Sequence, residues 1–271
     1  MKLRTGIIIL TALFLSSCGK YEKLLKSSDF QLKKEKALEY FEAGKYVKAT
    51  ELFTQILPRF RATDEAEELN WLNSRAHFEL QDYMMAGTYF QNFATLYPYS
   101  RYAEEANFMI AYSDYKMSPR PDLDQEFTRK AIEGFELFKR RFPVSERFAE
   151  ADALITEMED RLVRKSYISA KLYYDMKQYR AAVVALNNSL TEYPDTRFRE
   201  EMMFLKLNSQ YLYAFNSIAD RQKERYQTAY DEYLSYVEEF PDGTYSRDVK
   251  RIYDSLMKYL KPDTTLIDNG N

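Results

Sequence analysis

Residues 93–106 read FATLYPYSRYAEEA: an apolar run ends at Tyr97-Pro98, Ser100 follows, and an aromatic-alanine-acid run restarts at Tyr102. Kindred punctuation recurs as RRFPVSERFAEA around Pro143, LTEYPDTRFREE around Pro194 and VEEFPDGTYSRD around Pro241. Proline ends a helix because its ring and missing N–H are incompatible with continuation. It also pushes the preceding residue toward extended geometry, and here that residue is always Tyr or Phe. Each stretch therefore predicts a helix stop and restart, with Ser100 capping the next helix by accepting a bond from a free N–H.

Upstream of each stop lies a fixed ruler: Ala86–Phe90–Pro98, Ala131–Phe135–Pro143, Ala182–Leu186–Pro194 and Ala229–Tyr233–Pro241. Alanine and the residue four later share one helical face, so a small residue admits a neighbouring helix and a large one fills the space beside it. Half of the chain's 8 prolines sit on this ruler. Tyr46, Tyr83 and Tyr179 each precede an alanine by three residues and follow a turn signal. Each unit thus reads helix, turn, helix, proline stop.

Five units are expected, near 31–60, 66–98, 101–143, 146–194 and 197–241, with a capping helix at 244–260 that shields the last apolar face. In the first, Tyr40, Gly44, Tyr46, Ala49 and Phe53 keep the pattern, but proline falls early, at Pro58, which predicts an altered exit. The third carries an insertion at 117–125 (MSPRPDLDQ) between its helices. The copy around Pro143 reads as one residue longer than FATLYPYSRYAEEA. The tail, 261–271, has little to pack against and reads as disordered.

Residues 1–17 read as a signal peptide: Lys2 and Arg4, then an apolar run from Ile7 to Leu15 too short to span a ~30 Å bilayer core. Their removal leaves 37 basic and 42 acidic residues. Leu15-Ser16-Ser17-Cys18 resembles a bacterial lipobox, which implies that Cys18 carries diacylglycerol and a fatty acyl (palmitate-type) chain. Residues 18–30 would then form a lipidated tether. Gly19, where aspartate would resemble an inner-membrane retention signal, favours the periplasmic face of the outer membrane.

One cysteine and one histidine exclude an internal disulfide and a Cys/His zinc site. Neither a metal nor a cofactor other than the lipid on Cys18 is expected. A formal charge of −3 without a basic stripe speaks against nucleic-acid binding. His77 lacks a partner motif and reads as core or groove packing. The pairs Glu67-Glu68, Glu104-Glu105 and Glu238-Glu239 read as solvated surface, and no catalytic fingerprint is present. The chain is not expected to be an enzyme.

These repeats resemble the tetratricopeptide repeat (TPR), whose Gly/Tyr, A-x3-F and terminal Pro positions they match. The resemblance implies an all-α, right-handed α-solenoid of about five TPR helix pairs. In that family's groove register fall Lys34, Leu38 and Phe41, then Trp71, Arg75 and Phe78. Trp71 is either a peptide-binding anchor or a packing residue between helices.

A lipobox, a short tether, five long repeats and the phrase [FY]-P-x-[ST]-x-[YF]-A-x-x-A together resemble the BamD family, outer-membrane assembly lipoproteins of the β-barrel assembly machinery. The resemblance covers about residues 15–260. It implies a non-enzymatic scaffold that binds the POTRA domains of a BamA-like barrel protein, other assembly-complex subunits and unfolded outer-membrane proteins. A TPR adaptor lipoprotein for peptidoglycan or cell-division proteins is the alternative.

Overall fold

The computed structural model describes residues 19–260. The signal peptide, Cys18 and the 261–271 tail lie outside the described residues. Among these residues there are helices and no strand. They fall into two compact units, 19–119 with 125–158, and 120–124 with 159–260.

In the first unit, α1 covers 19–26. It is followed by α2 (Phe30–Glu42), α3 (Tyr46–Phe60), α4 (Ala66–Glu79), α5 (Tyr83–Leu96), α6 (Ala103–Met117) and α7 (Glu126–Arg141). Helix α8 (Phe148–Asp175) begins in this unit. Successive helices pack on one another from α2 to α7. The second unit holds the rest of α8, then α9 (Tyr179–Glu192), α10 (Arg199–Phe215), α11 (Ala219–Glu239) and α12 (Ser246–Leu260). There α9 packs on α10, α10 on α11, and α12 on both α10 and α11.

The ruler residues explain this pairing. Ala86, Ala131, Ala182 and Ala229 are fully buried, as are Phe90, Phe135 and Leu186. Each such large side chain stabilises its hairpin by about 1.5–3 kcal/mol. The helices stop where the prolines require it. Tyr97, Phe142, Tyr193 and Phe240 all adopt φ between −127° and −129°, and each N–H still reaches the carbonyl four residues back.

The turn before each Tyr contains a left-handed residue: Gly44, Gln81 and Lys177, with φ of 67°, 60° and 58°. Only the first is the residue type that adopts this region without strain. The Tyr two positions on then meets the preceding helix, Tyr46 on Phe41 at 5.5 Å and Tyr83 on Phe78 at 5.2 Å.

Four expectations are refined or corrected. Within the expected tether, residues 19–26 are not free chain, because α1 lays Tyr21, Leu24 and Leu25 against the core of the first repeat, and Tyr21 donates to the Lys48 carbonyl. Where an altered exit was expected at Pro58, α3 runs through the proline to Phe60, unlike the stops before Pro98, Pro143, Pro194 and Pro241. Ser100 satisfies the Tyr102 N–H at 2.9 Å, one residue before α6 begins, so it closes the turn rather than caps the helix.

The Pro143 copy, finally, is not longer. Helices restart five residues after the proline at Ala103, Phe148, Arg199 and Ser246 alike. What differs is the residue before the restart, aromatic in Tyr102, Phe198 and Tyr245 but Arg147 in the Pro143 copy.

Candidate functional site

That residue, four after the proline, lies flat on an aromatic of an earlier helix in every joint. Tyr102 stacks on Trp71 (4.8 Å, 6°), Phe198 on Tyr167 (4.3 Å, 6°) and Tyr245 on Phe204 (4.4 Å, 4°). Arg147 takes the same place over Phe108, its guanidinium 3.8 Å from the ring centroid. A planar cation substitutes for a planar ring because both present a flat face to a π-system.

The joint hydroxyls add a second tie. Ser100 donates to Glu67 (2.7 Å), Ser145 to Glu104 (2.5 Å) and Thr244 to Glu200 (3.2 Å). Each glutamate is the second residue of a helix, where a carboxylate also meets the positive end of the helix dipole. Two of these carboxylates, Glu67 and Glu104, were expected on the surface and are instead partly spent on joining repeats.

Over the first of these joints the first unit opens into a depression of about 530 Å³. Its floor is Trp71 under Tyr102, and one wall is Phe78, Met109 and Tyr112, with Phe78 on Tyr112 at 5.8 Å. The rim carries Arg75, Glu79, Glu105 and Arg147. Arg147 pairs with Glu105 at 3.0 Å and with Glu150 at 3.3 Å. Burial pushes the Glu105 carboxyl above its ordinary range, while the Arg147 and Arg75 charges pull it back. Arg75 is exposed and also lies over Phe41, 5.8 Å from the centroid. Flat aromatics below and guanidinium donors above suit an extended polypeptide, whose side chains find apolar contact and whose carbonyls find N–H groups.

The six residues in the groove register separate. Arg75, Phe78 and Trp71 line the depression, although Trp71 is only 6% exposed and chiefly packs, between Phe90, Phe93 and Tyr102. Lys34 is buried, bonded to Glu65 at 2.5 Å and set over Phe60, so it does not face a groove. Leu38 and Phe41 are half-buried on the core of the first repeat. Tyr102, Glu105, Tyr112 and Arg147 complete the site and were not anticipated. The recurrence of an aromatic four residues after the proline was the signal that would have found Tyr102.

His77 packs on Tyr89 (4.6 Å) with Nδ1 3.4 Å from Asp82, outside the depression. The described residues contain no cluster of three or more metal-ligating side chains and no helix long and apolar enough to cross a membrane.

Helix hairpins joined by proline stops, with a depression on the first unit, define an all-α helical-repeat fold. Residues 31–224 match the YfiO family, described as an outer membrane lipoprotein, and the chain belongs to that family. It is 22% identical over 256 residues to a protein of Aquifex aeolicus (strain VF5) named as a candidate outer membrane protein assembly factor BamD. That alignment covers 94% of this chain and 82% of the relative. Among solved structures, a single-residue variant of a Podospora anserina kinesin light chain-type protein with nearly identical TPR-like repeats aligns at 14% identity. It covers 84% of this chain and 93% of its own, with a TM-score of 0.33, a likeness too loose to bear on the fold.

Proposed function

We propose that this chain is a non-enzymatic scaffold in the assembly of outer-membrane β-barrel proteins. In this reading Cys18 carries the lipid that holds it at the periplasmic face of the outer membrane. Two or more acyl chains, at about 0.8 kcal/mol per buried CH₂, make such anchoring stable. Because α1 packs on the first repeat, the repeats would lie close to the membrane surface rather than at the end of a long tether.

The observation that carries the reading is the depression of Trp71, Phe78, Tyr102, Tyr112, Arg75 and Arg147 in a chain of the outer-membrane lipoprotein family. It would take an extended segment of an unfolded barrel precursor. Other surfaces of the repeats would bind the POTRA domains of a BamA-like barrel protein and further subunits of the complex.

Affinity isolation of the full chain from detergent-solubilised envelopes tests this. A BamA-like barrel protein should co-purify in near-stoichiometric amount. Its absence, with the bait intact and lipidated, would sink the proposal.

A further inference from the structure

Positive charge gathers at the start of the first repeat. Residues 19–61 carry ten cations and six acids, a net positive segment in a chain of net charge −3. Lys33 and Lys34 are buried and Lys36 pairs with Glu39. Lys20, Lys23 and Lys26 on α1, and Lys45 just before α3, are exposed, and none of the four forms an ion pair among the described residues. Because Tyr21, Leu24 and Leu25 turn α1 onto the core, the helical repeat sets Lys23 and Lys26 on its outer face and Lys20 at the edge of that face. Glu22 is the one acid of α1.

Two more ammonium groups are held at the same helix. Lys48 Nζ lies 4.9 Å from the Tyr21 ring centroid and 5.4 Å from that of Tyr40, and Lys45 Nζ lies 5.9 Å from Tyr40. The two rings touch edge to face at 5.6 Å. Glu51, one turn beyond Lys48, is spent on the Tyr21 hydroxyl at 2.5 Å. Cations drawn together in this way, with a neighbouring carboxylate engaged elsewhere, make a face complementary to anions.

The place of this face in the chain selects the anion. Gly19 opens α1 and directly follows Cys18, so a lipid on Cys18 leaves only about 3.8 Å of chain between anchor and helix. At an anionic membrane surface each lysine contributes about fivefold to partition. A fatty chain joined to a polybasic face also holds more firmly than the chain alone. We infer, resting on the Cys18 anchor proposed above, that the outer face of α1, with Lys45 and Lys48 beside it, lies on anionic phospholipid headgroups. This contact fixes the rotation of the first repeat about its anchor, which a lipid alone leaves free.

Vesicle flotation of the mature chain carrying Cys18→Ser, which removes the lipid and keeps the helix, tests the contact apart from lipidation. At low salt the protein should partition at least tenfold more onto phosphatidylethanolamine vesicles containing one-quarter phosphatidylglycerol than onto vesicles with phosphatidylcholine in its place. Lys20→Glu/Lys23→Glu/Lys26→Glu should abolish that difference, and Lys20→Arg/Lys23→Arg/Lys26→Arg should keep it. Lys177→Glu/Lys223→Glu/Lys250→Glu, the same change of charge on exposed sites of the second unit, should keep most of it, with helicity unchanged throughout. Equal partition onto the two vesicles, or an equal loss from the two glutamate variants, would overturn the headgroup contact. The mass of the wild-type N-terminal peptide reads lipidation separately: an unmodified Cys18 would sink the anchor, whereas equal partition sinks only the contact.

Discussion

Arg147 lies over Phe108 at 3.8 Å in the place where Tyr102 lies over Trp71 at 4.8 Å, so one joint of the repeat uses a cation where the others use a ring. The exchange keeps the stacking and adds a charge to the rim of the depression. Arg147→Tyr should hold stability within about 0.5 kcal/mol. Arg147→Ala, which loses both the cation–π contact and the Glu105 pair, should cost about 1–2 kcal/mol. Urea unfolding of the two variants separates them.

Trp71 is the only tryptophan, and its emission therefore reports on the joint that Tyr102 closes. Tyr102→Ala uncovers the indole face and should shift emission to longer wavelength while lowering stability by about 2–3 kcal/mol, below the cost of emptying a fully buried ring site. Helical circular dichroism at low temperature should stay unchanged. An unshifted spectrum would mean that Trp71 is covered by something other than Tyr102.

The close approach of α6 and α7 rests on Gly134. A Cβ added there would lie 2.9 Å from the Ala111 Cβ and 3.2 Å from its Cα, atoms of a buried helix that cannot swing aside. Helix propensity favours alanine by about 1 kcal/mol, yet the overlap should dominate, so Gly134→Ala is expected to destabilise by about 1–3 kcal/mol. Gly87 is the contrast. Its added Cβ would meet Ser113 at 3.4 Å, an ordinary contact, and Gly87→Ala should be neutral or stabilising. Thermal melts of the pair decide the matter by sign.

In the second unit Glu201 accepts from Lys171 at 2.8 Å. Burial pushes its carboxyl up, but the bonds from Lys171 and Tyr167 outweigh that and hold it below its ordinary 4.5. A carboxylate with a folded pKa below its unfolded value contributes stability that is complete above about pH 4.5 and is lost as pH falls through the folded value. Glu201→Gln should therefore cost about 1–2 kcal/mol at neutral pH. The gap to the wild type should close on acidification below pH 4.5, as measured by urea midpoints across pH.

The repeat architecture was legible because its marks are local: alanine and a large residue share a face four apart, and proline stops the helix. The site was legible only in part. Trp71 and Arg75 are four apart on α4, so helical spacing puts them on one face. What separates them is Tyr102, brought over Trp71 from the next joint. Lys34 likewise points toward a groove by spacing alone, until Glu65 arrives from the loop before α4. Arg147 breaks the aromatic pattern of the other joints, since a guanidinium performs the same stacking without the same letter.

The scaffold reading is tested most directly by depleting this protein in its native cell and quantifying folded outer-membrane β-barrels by heat-modifiable gel mobility. Folded barrels are expected to fall several-fold while their transcripts persist. Wild-type protein should restore them, and an Arg75→Glu/Phe78→Ser variant of normal abundance should not. Barrel levels that stay constant through complete depletion would contradict the scaffold role.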